Sequence, residues 1–230
     1  KMKKVLFGFL MFALMMTPLV LTSCDDSTKE ENVPEEEDKE LIGTIAEVRN
    51  LDATVEYLLT GPVIVADGGT LNIPAGTVIK AEQGFDKYIL VLRGGKININ
   101  GTATSPVTIT ANKENAVQGH WGGLIINGKA PLSGGTEGTT EINADHKYGG
   151  SNVSDNSGSI TYLKLEYTGA RSDADVEHNG LTLNGVGNGT KIENLFIPYG
   201  ADDAVELFGG SVSVKNLLAV DPDDDMFDFT

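Results

Sequence analysis

The sequence predicts an all-β fold: a parallel β-helix, a solenoid whose coils hold about 22–24 residues. Three observations predict it. From about residue 59, short β-branched runs such as Val63-Ile64-Val65, Thr77-Val78-Ile79 and Val107-Thr108-Ile109 are split by Gly and Asn turns. Asn179–Leu183 matches Asp203–Leu207 at an offset of 24, and that segment matches Asp225–Phe229 at 22. Ile192–Ile197 matches Val214–Ala219, again at 22, and Gly189-Thr190 and Gly210-Ser211 precede the two copies. A period of this size, with several short strands in each repeat, is one solenoid coil that buries its inward residues against the coils above and below. An antiparallel sandwich or barrel also spaces its strands by about 8–12 residues, but nothing in it requires one strand-turn-strand phrase to recur.

The elements follow in chain order. Lys1, Lys3 and Lys4 precede an apolar run of 16 residues, Val5–Val20. That is shorter than the roughly 20 residues a spanning helix needs and fits a secretory signal peptide over residues 1–23. The run closes on Leu21-Thr22-Ser23-Cys24, which resembles the bacterial lipobox. The resemblance implies cleavage before Cys24 and acylation (palmitate and related chains) of its thiol and new amino group. More than one acyl chain suffices for stable anchoring, at about 0.8 kcal/mol per buried CH₂. Residues 24–40 carry nine acidic residues and two lysines. They are expected to form a disordered, self-repelling tether. Asp25-Asp26 and Lys29-Glu30-Glu31, close behind the cysteine, also resemble the surface-export signal of lipoproteins from Bacteroidota, which implies the outer membrane and the cell surface. Residues 41–58 have a weak helical period and are read as a capping segment, and residues 59–230 as the β-helix. Ser133–Gly158 and Arg171–His178 interrupt the period and are expected to project as loops, the first of a kind that often carries function. Met226–Phe229 is strand-like and lacks a polar cap, so further coils are expected beyond Thr230.

The phrases GTVIKA at Gly76, GTATSPVTITA at Gly101, HWGGLIINGKAP at His120, DNSGSITYLKLEYTG at Asp155 and NGLTLNGVGNGTKIENL at Asn179 resemble the right-handed β-helix lipoproteins of Bacteroidota, and ADDAVELFGGSVSVKNLLAVDPDDDMFDF at Ala201 continues the likeness. It spans roughly residues 60–230. It implies the hand of the helix and the compartment. It implies no particular activity.

Composition narrows the function. The 230 residues carry a formal charge of −16, with 33 acidic and 17 basic residues. This excludes phosphate-led binding of nucleic acid. The single Cys excludes an internal disulfide framework and any CxxC zinc site. The strongest cluster is acidic. The offset of 22 stacks Asp202 over Asp224 and Asp203 over Asp225, with Asp221, Asp223 and Glu206 close by. Opposed like charges on adjacent coils repel. Three resolutions are open: outward solvation, a shared Ca²⁺ taking six to eight oxygens, or protonation with raised pKa. Asp221-Pro-Asp-Asp-Asp225 starts like an EF-hand loop, but Met226 stands where the loop needs Gly.

No residue is assigned a catalytic role. His120, His146 and His178 fall in turns or loops without metalloprotease spacing, and Arg171 is the arginine nearest the acidic stack. Trp121 and Tyr148, with Tyr162, Tyr167 and Tyr199, offer a sugar-stacking strip, set against the reading that they pack coil corners. Asn194 and Asn216, also 22 apart, read as a structural Asn ladder. The sequence thus points to a lipid-anchored, surface-exposed, non-enzymatic binding or adhesion protein with a glycan or matrix ligand. The alternatives are a β-helix polysaccharide lyase or glycoside hydrolase, and a structural envelope stalk.

Overall fold

The computed structural model describes residues 39–173 and 176–230. Cys24, the signal-peptide region 1–23 and the tether as far as residue 38 lie outside the described residues.

The chain winds in parallel coils. The first contributes β1 (Glu40–Ile45) and β2 (Val48–Asn50); the second, β3 (Glu56–Val65) and β4 (Thr70–Pro74). Then come β5 (Val78–Ala81), β6 (Ile89–Val91) and β7 (Lys96–Asn100), followed by β8 (Val107–Ala111) and β9 (Leu124–Asn127). A hairpin of β10 (Gly138–Thr140) and β11 (Asn143–Tyr148) leaves the coil before β12 (Gly158–Leu165) resumes it. A second hairpin, β13 (Arg171–Asp173) with β14 (Val176–Glu177), precedes β15 (Leu181–Asn184). The last coils hold β16 (Lys191–Pro198), β17 (Val205–Phe208), β18 (Val214–Val220) and β19 (Asp228–Phe229).

Parallel pairing sorts these strands onto three faces. One runs β2-β4-β7-β12-β16-β18. The next joins the first halves of β1 and β3 to β5 and β8, and then to the second halves of β12, β16 and β18. The third runs from the second halves of β1 and β3 through β6, β9, β15 and β17 to β19. The predicted registers hold: Leu181 faces Val205 at an offset of 24, and Glu206 faces Asp228 and Ile192 faces Val214 at 22.

Coils begin earlier than the sequence indicates. Residues 41–58 are not helical. Leu41 and Ile45 are buried inward residues of β1, paired in register with β3, so this segment already forms part of the solenoid. The loops around Ser133–Gly158 and Arg171–His178 contain the two hairpins, which take up chain that a shorter coil would have used.

Alternation drives the burial. Along β3 every second residue from Tyr57 to Val65 points into the core. Like residues stack from coil to coil, as in Ile99, Ile160 and Ile192 on the first face, each at most 1% exposed. Each such isoleucine contributes about 1.5–3 kcal/mol through apolar burial. Strands β12 and β16 turn from the first face to the second at Tyr162 (φ 49°) and Asn194 (φ 61°), and Asn216 (φ 57°) does the same in β18. These residues sit in the left-handed region, where Asn is tolerated. Asn216 Nδ2 donates to Asn194 Oδ1 at 2.9 Å, so the Asn ladder forms. A second ladder on the first face links Asn98 to Asn72 and Asn72 to Asn50 at 2.8 and 2.7 Å.

Candidate functional site

The second and third faces meet at a corner that opens into the third face. Tyr199 (φ 61°) turns the chain, and Asp202 and Asp203 follow immediately before β17. One coil on, Asp221 (φ 55°) makes the same turn and Asp224 and Asp225 follow. The third face itself carries Thr182, Glu206 and Asp228 in one outward column.

Carboxylates converge here. Oxygens of Asp202, Asp203 and Asp224 lie within 4.8 Å of one another, as do oxygens of Asp203, Glu206 and Asp228. Asp203 belongs to both groups and is 8% exposed, while Glu206 is 9% exposed. Asp203 Oδ1 accepts the main-chain amide of Asp225 at 2.9 Å, which binds the carboxylate to the next coil. Asn179, buried one coil earlier, donates from Nδ2 to Glu206 Oε2 and, at 3.4 Å, to Thr182 Oγ1. Its Oδ1 has no partner among the described residues.

The two hairpins add acid to this corner. Arg171 and Glu177, from the β13–β14 hairpin, pair at 2.8 Å, and Arg171 Nη2 donates to the Ala201 carbonyl at 2.6 Å. Glu177 is hydrogen-bonded to the Asp202 carboxyl. Burial first, then Glu177 as bonding partner and as charge, pushes Asp202 up to about 8, with Arg171 opposing. Glu141, on the β10–β11 hairpin, is raised by burial and by the charges of Glu177 and Asp203. Burial, then Glu141, pushes Glu206 up to about 7 against the Asn179 hydrogen bond, with Asp203 and Asp228 adding to the rise. Burial also raises Asp203, opposed by its bond to the Asp225 amide. Opposed carboxylates in a half-dry setting hold protons because ionising all of them is costly.

The sequence-derived residues divide. Asp202, Asp203 and Asp224 come together. Asp221, Asp223 and Asp225 enter neither group. Asp221 is a corner residue whose carbonyl accepts from Gln118, and Asp223 and Asp225 offer their main-chain amides to Gly200 and Asp203. Tyr148 is buried against Phe208, with ring centroids 6.2 Å apart, and burial and then Glu206 and Glu141 raise its phenol. It borders the acidic group as a packed ring with little face left open.

Trp121 corrects the sugar-stacking strip. Its indole is fully buried and its Nε1 donates to the Glu166 carbonyl at 2.8 Å. A Trp sealed inside a coil corner cannot receive a sugar. Glu141, Glu177, Asn179 and Asp228 are the residues that sequence reasoning missed. Asp228 had a signal, because the offset of 22 places it under Glu206.

His178, at the base of the second hairpin, is 1% exposed, and Phe85 and Tyr88 flank it at 4.6 and 5.1 Å. Its Nε2 bonds the Phe85 carbonyl at 2.9 Å, and burial pushes it down to about 4.

The described coils also agree with a family model, the pectate-lyase-like β-helix domain, which matches residues 43–230. The chain belongs to that family. No curated protein matches the chain, and neither does any solved structure. In the frame of a pectate-lyase-like β-helix, the acidic corner lies on an outward face, where two insertions supply residues that the coil repeat does not.

Proposed function

We propose that the protein is a lipid-anchored β-helix on the outer-membrane surface of a Gram-negative bacterium, of the kind found in Bacteroidota. It binds extracellular glycan or matrix without cleaving it, through a divalent cation held at the acidic corner. The observation that carries the cation reading is the pair of carboxylate groups sharing Asp203. Ca²⁺–oxygen distances of 2.3–2.6 Å place two ligands of one ion at most about 5 Å apart, and the oxygens within each group lie within 4.8 Å. Asp202, Asp203 and Asp224 would hold one ion, with Asp203, Glu206 and Asp228 as the second ligand group. A bound cation would replace the protons that the corner otherwise retains. It would also let an anionic glycan approach a strongly acidic protein, because the ion presents a positive centre. Cys24 and the acidic residues behind it support the anchor and the surface address.

The test has two arms. Calorimetric titration of the metal-free protein with Ca²⁺ should show saturable binding that Asp203→Asn abolishes; no heat beyond dilution would sink the cation reading. Metabolic labelling with palmitate should mark the protein and spare Cys24→Ala, and equal labelling of both would refute the anchor.

A second reading is favoured by one observation. Glu206 keeps its proton to about pH 7 beside other carboxylates, and neighbouring carboxyls in different protonation states are the parts of a glycosidic acid–base pair. Release of reducing ends from polyuronates or neutral glycans, lost in Glu206→Gln, would establish cleavage.

A further inference from the structure

The corner between the second and third faces carries a feature that the acidic group does not use. Tyr167 and Tyr199 occupy it in successive coils, both at φ 61°, and Asp221 follows at φ 55°. The two rings stack, with centroids 5.3 Å apart and planes 19° from parallel. Left-handed geometry costs an ordinary residue on the order of 1 kcal/mol or more, and a bulky ring there is a real outlier. At the neighbouring corner the chain meets the same demand with one tyrosine, Tyr162, and then with Asn194 and Asn216. Here it keeps tyrosine twice. Tyr199 is 40% exposed, and Tyr167 is half-buried beneath it. A cavity of about 300 Å³ opens against the pair, lined by Ala116, Val117, Gln118, Tyr167, Tyr199 and Asp221. That volume is at the lower end of small-ligand sites.

The lining specifies the ligand. Tyrosine faces and the exposed side chain of Val117 take an apolar surface. The Asp221 carboxylate only accepts hydrogen bonds, and Gln118 gives one of its two Nε2 hydrogens to the Asp221 carbonyl at 2.8 Å, leaving one N–H donor and the Oε1 acceptor. The phenol hydroxyls both donate and accept. An occupant must therefore present a flat C–H face and several hydroxyl donors, and must not be an anion, because the Asp221 carboxylate lines the cavity. A pyranose ring has this pattern. A lone ammonium ion would use the carboxylate and a ring face but not the remaining polar atoms.

We propose that the cavity at Tyr167, Tyr199 and Asp221 is a subsite for a neutral saccharide, independent of metal and distinct from the carboxylate groups that follow the same corner. The proposal rests on the reading of the protein as a glycan binder.

The experiment uses the full chain in EDTA, which silences any cation-dependent site. Neutral tetrasaccharides (cellotetraose, mannotetraose and chitotetraose) are titrated while the tyrosine ring resonances are followed by NMR. At least one sugar should shift the Tyr199 ring signals. Tyr199→Asn removes the ring at a position where Asn tolerates the backbone, so it should fold and bind at least tenfold more weakly. Tyr199→Phe should retain most of the affinity. Asp203→Asn, which breaks the acidic corner, should bind the sugar like the parent chain. The proposal is overturned if no tetrasaccharide shifts these signals, if Tyr199→Asn binds as well as the parent, or if tetramethylammonium binds more tightly than every sugar. Loss of Ca²⁺ binding in Asp203→Asn with sugar binding intact would separate the two sites. Failure of the sugar arm alone would leave the cation reading standing.

Discussion

The Asp203 carboxylate accepts the main-chain amide of Asp225 at 2.9 Å. One coil thereby fixes the position of the carboxylate that two acidic groups share. A side chain held in this way loses little further freedom when a ligand arrives, so the site is preorganised. The same bond favours ionised Asp203, yet burial still raises its pKa. The corner therefore carries an electrostatic load that an ion would relieve.

Ca²⁺ should raise the thermal midpoint of the parent chain. A ligand that binds only the folded state stabilises it by about 2.7 kcal/mol at a hundred times its dissociation constant. For a domain of this size each kcal/mol moves the midpoint by about 2–4 °C. Asp203→Asn keeps an acceptor for the Asp225 amide and removes one negative charge. It should melt no lower than the parent in EDTA and gain nothing from Ca²⁺. Differential scanning calorimetry with and without the ion checks both halves, and a Ca²⁺ gain in the variant equal to the parent's counts against the site.

Without metal, stability should fall as pH rises from about 5 to 8. Glu206 is raised to about 7 and Asp202 to about 8. The folded state thus holds more protons than the unfolded state above the ordinary carboxylate range. Their contribution is complete at low pH and is lost as pH rises through 7 and 8. His178 acts in the opposite sense, because its folded value is lowered to about 4. Its contribution is present above about 6.5 and is lost as pH falls toward 4. Thermal midpoints in EDTA should decline from about pH 5 to 8 and level off above, with His178 offsetting part of the decline below about pH 6.5. Glu206→Gln should make the decline shallower and stabilise the protein at pH 8 by on the order of 1–3 kcal/mol. A parent profile that is flat from pH 6.5 to 8 would contradict these assignments.

Trp121→Ala should cost about 3–5 kcal/mol, the usual price of emptying a large aromatic site in a core. The indole also gives up its bond to Glu166. Chemical denaturation measures the loss. Glycan binding per folded molecule should stay unchanged, and a specific loss of binding at full foldedness would return Trp121 to the ligand face.

The solenoid was legible because parallel stacking forces like residues into register. Leu181 over Val205 and Ile192 over Val214 are both inward pairs, and their offsets stand in the sequence as repeats. Asp202 over Asp224 was legible for the same reason. Glu141 and Glu177 were not, because they belong to hairpins that interrupt the period, and no repeat says where an insertion folds back. Asp221, Asp223 and Asp225 looked equivalent to their neighbours in composition. The corner geometry separates them, since a left-handed residue and two amide donors present their backbones where the sequence shows only carboxylates. Trp121 stayed open to both readings in the sequence because a residue between turns looks exposed until the coils close over it.

Asn194→Ala should cost about 1–2 kcal/mol, since Ala gains nothing from the left-handed corner that Asn tolerates. Asn194→Gly frees the backbone and isolates the lost bond from Asn216, worth about 1 kcal/mol. Equilibrium unfolding should rank the parent above Gly and Gly above Ala. The reverse order of the two variants would mean that the left-handed turn costs Ala less than the added chain entropy costs Gly.

Glu141→Gln should lower the pKa of Glu206, because the Glu141 charge is the largest contribution to its rise after burial. The charge comes from the β10–β11 hairpin, which Arg93 fastens to the coils. Arg93 Nη1 pairs with Glu137 at 3.0 Å and reaches the Gly149 carbonyl at 3.2 Å. The partly exposed ion pair itself adds at most about 1 kcal/mol, so Arg93→Ala should leave the protein folded while loosening the hairpin. Both variants should then move Glu206 the same way by different routes, one by removing the charge and the other by letting it drift into solvent. Carboxyl ¹³C NMR titration in EDTA reads the midpoint directly. A downward shift in Glu141→Gln with none in Arg93→Ala means that the hairpin holds its place without Arg93. No shift in either variant means that burial alone sets the Glu206 proton, and that the insertion does not tune the site.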